Sequence, residues 1–443
     1  MSTEKRSRRL TGKERRLLFV LGVPTLTMAY STTIVSTYLP VVARSFTHSA
    51  VAIGLILAGE GLTALFIPLL AGSWSDTLRA RGGSRLTFVL AGTPVAAGSL
   101  AVLGLVGTLP AMGVLVATFF AGNFFSYEPY RALYPDLLPD EVAGRGQGTQ
   151  AVWRGAGTII ALAGGGLLLS VWTNLPFLAG AALEATGAAL LVLLLGRVSS
   201  RARGRRLWPA RADLGRGARD VLSRSRRLLA DHRDLRLYLY ANLLWELSLG
   251  ALKAFIVLYV TQGLGRSLAA ASVIIGAVAV VILAGAIASG KLADRLGTIR
   301  VMRAGLWVYG CALAVLIFTH ATIAILAVAP IVAFGGGLTM TLPYALLIPL
   351  MPARGHGMLT GFYSLSRGLG VMLGPLLAGV AIDVLGPAFP GTHGYAAMWI
   401  VSAGSVLASI PVLGRLRGDV ERRRRAGTKA RAASRELSPG GQR

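Results

Sequence analysis

Stretches of about twenty predominantly apolar residues recur twelve times along this chain, separated by short polar breaks. Each is long enough to cross roughly 30 Å of hydrocarbon. No water reaches that depth, so every backbone donor and acceptor has to be satisfied within its own segment. A helix does this, and an open sheet cannot. Only 14% of the 443 residues are charged, too few to cover a water-facing surface of this size. The pattern predicts an all-α integral membrane protein of twelve transmembrane helices. It divides into a basic tail (1–16), a six-helix bundle (17–196), a basic linker (197–235), a second six-helix bundle (236–414) and a basic tail (415–443).

A formal net charge of +26 would point to nucleic acid in a soluble protein. Its distribution argues against that here. With the N-terminus placed in the cytoplasm, the tails, the linker and the other inward loops hold 39 of the 45 Lys and Arg. The outward loops hold two, Arg44 and Arg266, and four lie inside helices: Arg131, Arg154, Lys253 and Arg367. This positive-inside split predicts cytoplasmic termini in a plasma (inner) membrane protein, with the basic runs facing anionic lipid and no nucleic acid as partner. The first apolar run is too long for a signal-peptide core and lacks a small-residue cleavage site, so it reads as helix 1. The single cysteine, Cys311, excludes an internal disulfide and reads as a small packing residue of helix 9.

The chain also repeats itself. Pro129-Tyr130-Arg131-Ala132-Leu133 after helix 4 matches Pro343-Tyr344-Ala345-Leu346-Leu347 after helix 10, 214 residues on. Arg154-Gly155-Ala156-Gly157 matches Arg367-Gly368-Leu369-Gly370, and Gly72 to Asp76 matches Gly290 to Asp294. Equivalent elements recur after six helices, an even number, so the two halves share one orientation. That predicts a parallel repeat about an axis along the membrane normal.

At this point the residues resemble a known family. Gly290-Lys291-Leu292-Ala293-Asp294-Arg295-Leu296-Gly297-Thr298-Ile299-Arg300, between helices 8 and 9, is similar to the major facilitator superfamily signature G-x-x-x-D-R-x-G-x-x-R. Its partner between helices 2 and 3 keeps Gly72 and Asp76. There Thr77 stands where the basic residue belongs, and the loop stretches through Arg79, Arg81 and Arg85. The resemblance implies gating for Gly72, Asp76, Gly290, Asp294, Arg295 and Arg300. Carboxylates near helix ends would pair with arginines, and breaking those contacts would let the halves rock apart. It also implies a cavity lined by helices 1, 2, 4, 5, 7, 8, 10 and 11.

Within that family, Pro129–Asp136 followed by Arg145-Gly146-Gln147-Gly148 is similar to the helix 4–5 region of sucrose–proton symporters and of glycoside–pentoside–hexuronide:cation symporters. This implies that Arg131 stands at the helix 4 arginine which the sucrose carriers need. Glu60 and Glu128 match the cation-site carboxylates of the second group in helix placement only. Helix 5 has Gly164-Gly165-Gly166 and lacks the Gly-Pro of many drug–proton antiporters; helix 11 carries Gly374-Pro375, in the other half.

Ionisable groups at membrane depth cost about 2.5–3.5 kcal/mol each on insertion scales, so they mark pathways or pairs. Glu60, Glu128 and Glu246 are the candidate proton-coupling carboxylates. Glu128 and Arg131 lie three apart on one helix face, either as a neutralising pair or as a proton-released substrate arginine. Glu246 and Lys253 stand seven apart, two turns along one face. Tyr30, Arg131, Asn242, Trp245 and Tyr344 are candidate substrate contacts, combining aromatic faces with polar groups as sugar sites do. Arg154 and Arg367, at equivalent depths in helices 5 and 11, are expected to form cytoplasmic gate pairs with Asp76, Asp136 or Asp294. Glu184 in helix 6 is read as a scaffold contact, and Asp383 as part of an outer gate.

The sequence has no G-x-x-x-x-G-K-[ST] loop and no histidine cluster with metal-ligand spacing, so neither ATP drive, nor a cofactor, nor enzymatic chemistry is expected. The reading is a monomeric secondary transporter for a small molecule, with proton-coupled uptake of a sugar or glycoside first. Proton-coupled efflux of a drug or metabolite is second, and a non-transporting membrane sensor third.

Overall fold

The structure, a computed structural model, describes residues 11–199, 232–319, 321–347 and 356–416. Most of the expected tails and linker (1–10, 200–231 and 417–443) lies outside the described residues, which form helices without a strand.

Twelve helices are long and apolar enough to span a membrane. In chain order they are α1 (Gly12–Arg44), α2 (Ala50–Ala80), α3 (Leu86–Leu103), α4 (Leu109–Leu137), α5 (Asp140–Val171) and α6 (Leu175–Ser199) in the first half. The second half has α7 (Arg233–Leu258), α8 (Leu268–Leu296), α9 (Thr298–Phe318), α10 (Thr322–Leu347), α11 (His356–Leu385) and α12 (Tyr395–Leu416). Apolar residues exposed on their outer faces, such as Leu55, Val114, Val280 and Phe318, suit contact with lipid. Cys311, expected as a packing residue, is exposed too.

Several helices outrun their apolar stretch. Helix α1 begins at Gly12 and carries Lys13, Arg15 and Arg16 in helical turns before the first apolar residues. A capping box holds that start: the Thr11 side chain accepts from the Glu14 backbone, and Glu14 accepts from the Thr11 N–H at 2.8 Å. Hydropathy reports the hydrocarbon crossing, whereas hydrogen bonding decides where a helix ends.

Buried apolar side chains of the two halves run together in one large cluster, with a smaller one inside the first half, and each half also has internal polar ties. In the first, the Tyr130 and Tyr134 hydroxyls both donate to the Leu21 carbonyl, and Tyr130 shares a 2.6 Å bond with Thr25. In the second, Tyr238 donates to the Pro343 carbonyl at 2.7 Å and the Trp245 indole N–H donates to Ser409 at 2.8 Å. The halves meet chiefly through α2 against α11 and α5 against α8, with α1 against α7 between them.

The α2–α11 approach requires glycine. A Cβ on Gly54 would stand 2.4 Å from the Pro375 carbonyl oxygen, and one on Gly61 would stand 2.3 Å from the Met372 nitrogen. This seam is tied at the membrane face away from the chain termini. There the Asp383 carboxylate on α11 accepts from the Ala50 and Val51 N–H groups and from the Ser49 hydroxyl, at 2.7–3.0 Å. Asp383 thus caps the positive end of α2 from the other half of the molecule. Beside it, Arg44 donates to Gln262 at 3.1 Å and lies over the Tyr395 ring. The Tyr38 hydroxyl on α1 bonds Ser272 on α8 at 2.8 Å. These contacts tie the two halves together at the distal face. Towards the face of the termini, α2, α8 and α10 present Phe66, Ile287, Met340 and Tyr344 as exposed residues.

Candidate functional site

Glu60 sits ten residues into α2, about 15 Å from its distal end at 1.5 Å per residue. A carboxylate at that depth needs partners, and two helices supply them. The Ser36 hydroxyl on α1 donates to it at 2.7 Å, and the Lys253 ammonium on α7 stands 3.9 Å away, across the division between halves. Glu246 was expected to share its helix face with Lys253. The structure turns the two charges to different partners: Glu246 faces α11, where the Arg367 Nε lies at 3.5 Å. Gly370 makes this possible, because a Cβ there would come within 2.6 Å of the Glu246 Cβ. Both pairs remain within electrostatic reach of each other.

A second group of charges lies beside these on α4 and α5. Arg131 is 3.5 Å from Glu128 one turn earlier, and its guanidinium carbon stands 5.6 Å from the Tyr127 ring centre. Arg154 on α5 approaches the same ring at 6.0 Å. Arg367 is also within electrostatic reach of Tyr127. Tyr363 on α11 packs edge-on against Tyr344 on α10, 5.7 Å between centroids, and it too feels Arg131, Arg154 and Arg367. Two arginines of the first half and one of the second therefore converge on two tyrosines.

Charge counting shows what this cluster lacks. It holds four cations (Arg131, Arg154, Lys253, Arg367) and three carboxylates (Glu60, Glu128, Glu246). Each carboxylate faces one cation, leaving Arg154 with an aromatic face and no carboxylate among the described residues. A cation–π contact contributes about 0.5–2 kcal/mol, less than the roughly 2.5–3.5 kcal/mol cost of an arginine at membrane depth.

Other candidates fall elsewhere. Trp245, expected to touch substrate, is buried with its N–H spent on Ser409 of α12. Tyr30 is buried inside the first half near Gly180 of α6, its hydroxyl without a partner. Asn242 is fully buried and donates to Ser366 at 2.9 Å, packing α7 on α11, with its carbonyl oxygen left unpaired. Glu184 is buried and accepts from Asn123 of α4 at 3.1 Å. Tyr344 is half-exposed beside Tyr363.

The loop residues form one ring rather than two. Arg85, 8% exposed, donates to Asp76 at 2.7 Å, to Asp136 at 2.9 Å and to Ser75 at 2.5 Å, while Arg79 reaches Asp136 at 3.2 Å. Burial works against the Arg85 charge, but Asp136 and Asp76 outweigh it and hold the guanidinium above the usual arginine range. Gly72 and Gly290, expected to take part in gating, have open space where a Cβ would stand. Asp294, Arg295 and Arg300 are exposed. Arg154 and Arg367 join the central cluster instead of pairing with Asp76, Asp136 or Asp294. Sequence reasoning assigned no role to Ser36, Tyr127, Tyr363 or Arg85. Their signal is tertiary, apart from Tyr127, which precedes Glu128 and lies one turn before Arg131.

Comparison with known structures bears on the fold. The chain is similar to a bacterial homologue of the human lysosomal transporter Spinster, solved inward-facing and unoccupied (13% identity, TM-score 0.70, 92% of this chain and 96% of that one). It is likewise similar to the nucleoside transporter NupG (15%, TM-score 0.70, 90% and 98%) and to a D-xylose–proton symporter (16%, TM-score 0.69, 89% and 96%). No curated protein matches it by sequence. The described residues therefore have the major facilitator fold, and the C-terminal half of the chain, residues 238–441, matches the model of the Major Facilitator Superfamily.

Proposed function

We propose that this protein is a secondary active transporter working by alternating access, and that it takes up a hydroxyl-rich small solute of the sugar or glycoside class with protons. The observation that carries the reading is the Glu60–Lys253 contact. It joins the two halves at mid-depth, between the ties of the distal face and the charged group on α4, α5 and α11. A transporter needs such a site, exposed to one face at a time.

Glu60 suits the coupling role. Ionised, it holds Ser36 and Lys253; protonated, it keeps a hydrogen bond but loses its attraction to the ammonium. Proton binding then weakens a tie between the halves, which links protonation to their movement. The rings of Tyr127, Tyr344 and Tyr363 offer faces for a solute, and Arg131 offers donors. The D-xylose–proton symporter of like fold supports the uptake direction. The basic tails and linker support cytoplasmic termini in a plasma membrane. Efflux is the second reading, since the same switch run backwards exports.

The test is counterflow in proteoliposomes across labelled mono- and disaccharides, with Arg131→Ala beside the wild type. Saturable exchange that is lost in Arg131→Ala supports a sugar carrier. A silent panel, with the same vesicles extruding cationic dyes against a pH gradient, replaces it with the exporter.

A further inference from the structure

The three arginines around Tyr127 and Tyr363 do not fit a site built for a neutral solute alone. Arg131 and Arg367 each have a carboxylate at 3.5 Å, the loose end of ion-pair geometry, and Arg154 has none among the described residues. Their side chains are 41% and 52% exposed for Arg131 and Arg367, and Arg154 is exposed as well, so their donors are free to turn. A guanidinium presents a planar fork that matches a carboxylate or phosphate with two parallel bonds. Arg131 and Arg154, from α4 and α5, stand over the same Tyr127 ring, and Arg367 of α11 in the other half is near enough to Arg131 for their charges to interact.

We infer that Arg154, with Arg131 and Arg367, forms an anion-binding subsite for a carboxylate or phosphate group on the bound molecule. The inference deepens the transporter reading and rests on it for the claim that the molecule is carried. Binding an anion there balances the fourth cation of the cluster. The anion would also bridge α5 of one half and α11 of the other.

The shared chemistry has two sources, a soluble organic anion or the phosphate of an anionic lipid entering from the bilayer. The probes are D-gluconate and D-glucose 6-phosphate, with D-glucose as the neutral partner. Each is followed by counterflow in proteoliposomes and by thermal unfolding of the protein in a neutral detergent. At least one anion should half-saturate at about tenfold lower concentration than D-glucose, the equivalent of one charge-assisted bond. Arg154→Gln should erase that preference, and Arg154→Lys should restore part of it. A thermal shift from phosphatidylglycerol but not from the sugar anions, again lost in Arg154→Gln, assigns the same subsite to lipid phosphate. Equal treatment of neutral and anionic probes, or a preference that survives Arg154→Gln, overturns the subsite. Exchange of D-glucose without either anion overturns it while leaving the carrier standing. Shifts that depend on Arg154 without any exchange keep the subsite and remove the carrier.

Discussion

The loop after α2 and the loop after α8 are the same element in two halves, and they behave differently. The second carries the full run from Gly290 to Arg300, yet Asp294, Arg295 and Arg300 lie exposed. The first is degenerate, with Thr77 where a basic residue would stand, and it holds the bonded ring of Asp76, Arg85, Asp136 and Arg79. The difference has a chemical origin. Arg85, nine residues beyond Asp76, supplies the cation that Thr77 does not. Asp136, from the end of α4, supplies a second carboxylate. At the offset of 214 that relates Pro135 to Pro349, the counterpart of Asp136 is Leu350, so the second half has no such anion. A consensus motif records which residues are available, while its engagement depends on partners that the motif does not contain.

The contrast between the two loops depends most on Arg85. Arg85→Ala leaves Asp136 facing Asp76 with their shared buried cation gone. It should lower stability by about 3 kcal/mol, read as a fall in the unfolding midpoint in detergent. Asp136→Asn keeps one hydrogen-bond acceptor for Arg85 and should cost about half as much in the same assay. Asp294→Asn, in the complete but exposed motif, should stay within about 0.5 kcal/mol of wild type. A drop as large as that of Arg85→Ala would show that the two loops are equally engaged. Thr77→Arg, which restores the consensus residue, should change the midpoint least, because Arg85 already fills that role.

The ring of the first loop also has a predictable response to pH. Its arginine is raised above the ordinary value, so its contribution is complete below that value and is lost only as pH climbs through the folded one. That window lies above the reference arginine range. Between about pH 7 and about pH 10 the stability difference between wild type and Arg85→Ala should therefore stay constant.

The architecture was legible because each helix must be apolar over the hydrocarbon, and because Pro129-Tyr130 and Pro343-Tyr344 repeat in register. The helix ends were less so. Lys13, Arg15 and Arg16 look like tail residues but belong to α1, held by the Thr11 cap. In the site, Glu128–Arg131 could be read from a three-residue spacing, since the pair lies on one helix. Glu246 and Lys253 could not. Both are on α7, but their partners, Arg367 and Glu60, come from α11 and α2. Trp245 misled for the same reason, because its rotation about α7 points the indole at α12. Local spacing fixes neighbours along a helix; which neighbouring helix a face meets is decided by packing across the whole bundle.

The proposed link between protonation and movement of the halves runs through Glu60. Proton-driven accumulation and counterflow should be run side by side on wild-type and Glu60→Gln proteoliposomes, using a solute that the wild type exchanges. Glutamine keeps the shape and a hydrogen bond to Ser36 but carries no charge to hold Lys253 and no proton to give up. The predicted result is counterflow retained and accumulation lost. Glu60→Gln vesicles that still concentrate the solute on a proton gradient, as the wild type does, would contradict it.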